Sequence, residues 1–356
     1  MAKSTRCEAI GFLPKNMQQT TSLYKLPFPH GNLAHQSVLI TGGAGFIGSH
    51  IAEYLLLHGA AKVRVIDDFS TGFRSNIAPL FNNPRFELLQ GDIRQFETCT
   101  EACQGMDLVC HQAAIGSVPR SIENPMYTTT VNIDGFVNIV KAAKDNGIKR
   151  VVYASSSSVY GDEATLPKQE QKTGHPLSPY AVSKLSNELY ARVFAQVYGM
   201  ELIGLRYFNV FGPRQSPKGA YAAVIPLFID GLLNNKTVYI NGNGNQTRDF
   251  TFVSNAVQAN VLALFTSNPK AVNEVYNIAV GERFSVNELY DALAKLTGSA
   301  QQCIHRQGRA GDIEHSLADI TKARTLLGYN PLVNFEQGLE LTLSYFKNLP
   351  LALQHH

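Results

Sequence analysis

The chain has 356 residues, more than one core usually organises and enough for about two domains. Its 44% hydrophobic and 17% charged residues are a globular balance, which excludes a disordered chain. Basic residues number 31 against 28 acidic ones, a net charge of +3 without clustered blocks, so no nucleic-acid partner is expected. Cys7, Cys99, Cys103, Cys110 and Cys303 follow no metal or disulfide spacing, which predicts no metal site and a reducing, cytoplasmic setting. No apolar run approaches a membrane span or a signal-peptide core, so a membrane partner is not expected either.

Residues 1–36 hold scattered prolines and no sustained period, and read as an N-terminal extension lying on or off the main body. From Ser37 the pattern changes. Short β-branched runs (Ser37–Thr41, Lys62–Ile66, Phe86–Leu89, Asp107–His111, Arg150–Tyr153, Glu201–Tyr207) alternate with helix-length segments such as Ile47–His58 and Asn132–Asn146. That alternation predicts an α/β fold with a doubly wound parallel sheet of the Rossmann type over residues 37–208. Residues 209–350 lose the rhythm and are expected to form a smaller, discontinuous α+β substrate-binding domain. A return to the sheet domain is expected near residues 250–280, where Val275–Ala279 again looks like a strand.

The first strand runs into Thr41-Gly42-Gly43-Ala44-Gly45-Phe46-Ile47-Gly48, which opens a helix. A Cβ in such a loop would block the backbone from a pyrophosphate, whose charge then rests on the helix N-terminus. Asp67 closes the second strand, 19 residues beyond Gly48, where an acid binds ribose hydroxyls. Its charge would repel a 2′-phosphate, and no Arg follows closely, so the loop predicts NAD and not NADP. Gly91-Asp92-Ile93 after the third strand is placed for the adenine. Gln112, Ala113 and Ala114 after the fourth give small side chains where the cofactor crosses the sheet.

Further on, Tyr180 and Lys184 stand four apart, on one face of a helix. A Tyr titrating near 10 is too weak a base at neutral pH, but a nearby ammonium and a positive nicotinamide would both favour its phenolate. Ser155–Ser158 ends the fifth strand and puts hydroxyls at the ligand-binding edge of the sheet.

Together these residues resemble the extended short-chain dehydrogenase/reductases, and within them the nucleotide-sugar 4-epimerases, over about residues 37–345. The carriers are the glycine loop, Ser156 with Tyr160-Gly161, Tyr180-x-x-x-Lys184, Arg206-Tyr-Phe-Asn-Val-Phe-Gly212 and Arg248-Asp249-Phe250. The resemblance implies a catalytic triad of Ser156, Tyr180 and Lys184. It adds Phe69, Ser70, Thr71, Gly72 and Tyr207 to the expected cofactor contacts. Ser157-Ser158 stands where the related 4,6-dehydratases carry Asp-Glu, which argues against dehydration.

Finer features are similar to enzymes interconverting UDP-N-acetylglucosamine and UDP-N-acetylgalactosamine: Ala114–Ser121, Gly219–Pro226, Val238–Gly242 and Gly311–Ser316. They imply that Ser117, Ser156, Ser157 and Tyr180 face the sugar. Asn209, Ala223 and Val224 would hold the diphosphate and uracil, with Tyr239 and Asn241 on the uracil. Arg248 and Arg309 would take the diphosphate and Asp312 the uridine ribose, while Ser316 would leave room for the 2-N-acetyl group. A homodimer pairing the helices near Asn132–Asn146 and Tyr180–Tyr198 is also implied. Two features depart from the subgroup: Pro213-Arg214 where two arginines are frequent, and the N-terminal extension. The rival readings are a UDP-glucuronate 4-epimerase or decarboxylase, with Arg120 the candidate for the carboxylate, and a non-catalytic NAD-binding sensor or scaffold.

Overall fold

The computed structural model describes residues 23–25, 27–28, 33–217, 222–308 and 314–349. Seven strands form one wholly parallel sheet: β1 (Ser37–Thr41), β2 (Lys62–Asp67), β3 (Phe86–Gln90), β4 (Leu108–His111), β5 (Arg150–Ser156), β6 (Glu201–Tyr207) and β7 (Val275–Ile278). Their order is β7-β6-β5-β4-β1-β2-β3. The chain therefore runs outward from β1 to β3, returns to β4 on the other side, and leaves a crevice where the direction reverses.

Both faces of this sheet are covered, which is why its strands are apolar runs and not alternating ones. The long helices are α1 (Phe46–Leu57), α2 (Phe96–Cys103), α3 (Gly135–Asp145), α4 (Pro179–Tyr198), α5 (Val224–Leu233), α6 (Val253–Phe265), α7 (Val286–Thr297) and α8 (Phe335–Lys347). Val38 and Ile40 of β1 point into a core shared with α1 and α6. Leu39 between them points to the opposite core, under α2, α3 and α4, as strand pleating requires.

Two boundaries differ from the sequence expectation by more than one residue. Strand β5 continues to Ser156, so Ser155 and Ser156 are strand residues paired with Arg206 and Tyr207. The helix expected from Asn132 starts at Gly135, after a wide π-type turn over Thr130–Asp134.

The smaller lobe packs α5, α7 and α8 around an aromatic core that includes Phe211, Phe228, Phe250, Phe252, Tyr290 and Phe335. Reciprocal capping boxes start α7 (Ser285 with Glu288) and α8 (Asn334 with Gln337). Of the N-terminal extension, Tyr24 and Phe28 are buried against α1, so this part lies on the body.

Candidate active site

A cavity of about 880 Å³ follows the carboxyl ends of β1 to β6. Gly42 has φ +65°, and a Cβ there would stand 2.7 Å from the Ala113 backbone. A Cβ at Gly48 would collide with the Gly42 carbonyl. Glycines thus let the loop close on β4 and on the first turn of α1. That turn has no side-chain cap and no acid, so its unpaired N–H groups form a seat for an anion.

Asp67 is buried beside this loop. Its Oδ2 accepts the Ala44 N–H at 2.9 Å and its Oδ1 the Phe69 N–H at 2.9 Å. Burial pushes its pKa up, against those two hydrogen bonds, and the carboxylate retains lone pairs toward the cavity it lines. The cradle closed by Gly42 and Gly48 and the buried acid beyond it fit a dinucleotide with free ribose hydroxyls. Asp92 and Ile93 line the wall after β3, with Asp92 paired to Arg94 at 2.5 Å. On β4, buried His111 meets Thr41 Oγ1 at 2.9 Å, and the same oxygen accepts the Ala113 N–H at 3.2 Å. Burial, and then the Lys184 charge, lower the His111 pKa to about 3, so the ring is neutral.

At the other end, Tyr180 sits in the first turn of α4, which Ser178 caps by accepting the Ala181 N–H. Ser121 Oγ accepts the Tyr180 N–H at 3.1 Å and ties the short helix Val118–Glu123 to this turn. The Ser156 hydroxyl reaches the phenol and favours its ionised form, but burial outweighs it and pushes the Tyr180 pKa up. Lys184, one turn on, is 1% exposed, and its Nζ donates to the Ala154 carbonyl at 2.8 Å. Burial lowers its pKa to about 8. Its Nζ stands 5.9 Å from the Tyr180 ring centroid, and the Ser156 hydroxyl is the group that opposes burial at the phenol. A phenol with a hydroxyl and an enclosed amine beside it can exchange a proton with a bound alcohol.

Of the expected cofactor contacts, Gly42, Gly45, Phe46, Ile47, Gly48, Asp67, Ser70, Thr71, Asp92, Ile93, Gln112, Ala113, Ala114 and Tyr207 line the cavity together with Tyr180 and Lys184. Phe69 and Gly72 do not: Phe69 packs on the core under Arg74, and Gly72 backs onto Asp67. Of the expected substrate contacts, Ser156, Ser157, Asn209, Arg248 and Ser316 are on the wall. Ser117 is off it, since its Oγ caps the helix Val118–Glu123 by accepting the Arg120 N–H at 3.3 Å. Ala223 and Val224 stand at the start of α5, also off the wall. Tyr239 and Asn241 lie on a small ribbon and are engaged by Arg306, which stacks over the ring and donates to Asn241 Oδ1 at 2.7 Å. Arg309 and Asp312 fall outside the described residues.

Sequence reasoning missed three contributors. Glu188 of α4 accepts from Ser155 Oγ at 2.5 Å and forms a buried pair with Arg206 at 2.7 Å. Asn260 joins Tyr207 and Gln112 in a closed polar triangle. Val118, Pro119 and Ile122 give the wall an apolar panel near Tyr180. Glu188 continues the Tyr180 and Lys184 spacing by one more turn, a signal that was available.

The profile of the NAD dependent epimerase/dehydratase family matches residues 38–279. A putative UDP-glucose 4-epimerase of Methanocaldococcus jannaschii is 39% identical over 313 residues, covering 87% of this chain and 98% of that protein. The crystal structure of a UDP-N-acetylglucosamine 4-epimerase from Methanobrevibacter ruminantium M1, in complex with UDP-N-acetylmuramic acid, aligns with a TM-score of 0.83 and 37% identity, covering 88% of this chain and 98% of that one. The Thermus thermophilus UDP-glucose 4-epimerase in complex with NAD aligns with a TM-score of 0.78 and 35% identity, covering 87% and 99%. The chain belongs to the NAD-dependent epimerase/dehydratase family, where it groups with the UDP-sugar 4-epimerases, and its cofactor is NAD.

Proposed function

We propose that this protein interconverts UDP-N-acetylglucosamine and UDP-N-acetylgalactosamine by reversible inversion at carbon 4 of the sugar. The observation that carries the reading is the convergence of Tyr180, Ser156 and buried Lys184 on a wall that also bears the small Ser316. Bound NAD⁺ supplies the acceptor, and then the donor, of the hydrogen and two electrons of carbon 4, and its positive charge favours the Tyr180 phenolate. Tyr180 Oη takes the proton of the 4-hydroxyl and returns one to the same oxygen after the sugar has turned its other face. Ser156 stabilises the phenolate by hydrogen bonding. Lys184 holds α4 to β5 through the Ala154 carbonyl and so keeps the phenol against that serine.

Asp67 is assigned the adenosine ribose hydroxyls, the first turn of α1 the pyrophosphate, and Asn209 with Arg248 the sugar diphosphate. An Arg suits that role because its fork can meet two phosphate oxygens. Two features support an uncharged N-acetyl sugar. Ser316 is 8% exposed with little side-chain volume, and among the described residues Lys184 and Arg248 are the Lys and Arg on the wall. Arg120, the candidate for a uronate carboxylate, is not on it. The Methanobrevibacter neighbour, named for UDP-N-acetylglucosamine, supports the same choice.

We further infer a homodimer: Val182, Leu189, Val193 and Val197 leave an exposed apolar stripe along α4, which a second copy of the same helix would cover. Among the described residues no helix is long and apolar enough to cross a membrane, and Cys99, Cys103, Cys110 and Cys303 are unpaired, which supports a cytoplasmic setting. The test is incubation of purified protein with UDP-N-acetylglucosamine, UDP-glucose or UDP-glucuronate, each without added cofactor. UDP-N-acetylgalactosamine should be the fastest-formed product; conversion of UDP-glucuronate alone would overturn the reading.

A further inference from the structure

The part of the N-terminal extension that lies on the body reaches the substrate side of the cavity through one histidine. Tyr24 is wholly buried, and its hydroxyl stands 2.9 Å from His50 Nδ1. His50 Nε2 stands 3.0 Å from the Pro213 carbonyl oxygen. A carbonyl only accepts, so Nε2 carries the ring proton and Nδ1 presents a lone pair, which accepts a hydrogen bond from the Tyr24 hydroxyl. Burial, and then the Arg214 charge, hold the His50 pKa well below the usual histidine value, in keeping with that neutral tautomer.

The same face of α1 grips the next residue. Arg214 pairs with Glu53 and donates from Nη1 to Ser49 Oγ at 3.2 Å. Gln215 follows on the cavity wall, its Nε2 donating to the Val210 carbonyl at 3.1 Å, with Asn209 and Val210 beside it on the wall. The extension is anchored independently of this relay. Phe28 stacks on Tyr54 at 4.7 Å and donates its N–H to the Tyr54 hydroxyl at 2.8 Å, while His58 Nε2 donates to the Tyr24 carbonyl at 2.7 Å. Leu23 packs against the cores of both lobes.

We propose that Tyr24 is a positioning residue for the sugar-nucleotide end of the cavity: acting through His50, it fixes the Pro213–Gln215 segment, and Leu23, Tyr24 and Phe28 strap the two lobes together. The matched family region begins at residue 38, so the strap is an addition outside it. The proposal rests on the reading that this cavity takes a UDP-sugar.

Tyr24→Phe removes the hydroxyl and keeps the ring, so His50 Nδ1 loses its donor while the aromatic packing stays. UDP binding to the NAD-loaded protein, followed by titration calorimetry, should weaken about three- to tenfold. KM for the sugar nucleotide should rise by the same factor with kcat near wild type, and NAD retention and the thermal midpoint should hold. In a His50→Leu background the Tyr24→Phe change should have no further effect on UDP affinity. Equal UDP affinity of wild type and Tyr24→Phe overturns the proposal. So does a joint fall of UDP affinity, NAD retention and thermal midpoint, which marks general loosening. Wild-type protein that binds no UDP overturns the substrate reading itself, and the strap's role with it.

Discussion

Lys184 Nζ donates to the Ala154 carbonyl at 2.8 Å, which ties the second turn of α4 to the strand that ends in Ser156. One turn back along the helix, Tyr180 is thereby set against the Ser156 hydroxyl. The same contact places an amine in a dry site, and that has a consequence for stability. Burial lowers the Lys184 pKa from 10.5 to about 8. Between those values the folded form binds fewer protons than the unfolded one, so stability rises with pH from about 8 upward and is lowest where the fold must carry the charge. Lys184→Met removes the titration. In urea unfolding of NAD-stripped protein, the wild-type advantage over this variant should grow by about 2 kcal/mol from about pH 7 to about pH 9.5. A gap that stays level across that range contradicts the buried-amine account.

Tyr180→Phe keeps the aromatic body and removes the proton acceptor. Turnover should fall at least about a hundredfold, while UDP and NAD affinities stay close to wild type. Near-normal turnover by the variant would remove Tyr180 from the chemistry.

Asp67 holds two backbone N–H groups with its carboxylate while facing the cavity. In Asp67→Asn an NH2 group replaces one accepting oxygen, so either a backbone N–H or a ribose hydroxyl loses its acceptor. An unmet buried donor costs about 1–3 kcal/mol, so NAD affinity should fall roughly 5–150-fold. Wild-type protein extracted under denaturing conditions should release NAD. Preferential recovery of NADP would refute the ribose assignment.

Ser316 is buried on the wall, and its N–H donates to the Thr247 carbonyl at 3.0 Å, which fixes the direction of its side chain. Ser316→Tyr should overfill the space assigned to the 2-N-acetyl group at a cost of about 1–3 kcal/mol. The rate with UDP-N-acetylglucosamine should then drop roughly 5–150-fold, while UDP-glucose is spared or turned over faster. Equal losses for both sugars on a folded preparation would mean that Ser316 sets no sugar preference.

The strand pattern was legible because it is local. Val38-Leu39-Ile40 needs no partner to look like a strand buried on both faces, and the glycines after Thr41 mark the turn that follows. The run Ser155–Ser158 was legible only as a hydroxyl cluster, since four identical residues carry no sign of what each meets. Ser155 donates to Glu188, Ser156 reaches Tyr180, and Ser158 Oγ is buried without a partner. Those fates depend on where β5 ends and on helices more than twenty residues away. Ser117 shows the same limit at shorter range: a helix with Pro119 in its first turn begins there, and capping takes the hydroxyl that the resemblance had assigned to the sugar. Tyr24 lies in a segment without period, and its place depends on the outward face of α1, met 26 residues later. Arg206 was read as part of a motif, yet its buried partner Glu188 is on another element.

If Tyr180 and NAD act at carbon 4 of one bound sugar, the hydrogen returns to the carbon it left. The direct test is conversion of UDP-N-acetylglucosamine deuterated at carbon 4, in ordinary water and without added cofactor. The product should be UDP-N-acetylgalactosamine that keeps the deuterium at carbon 4. Deuterium lost to solvent, or no inversion at that carbon, would contradict it.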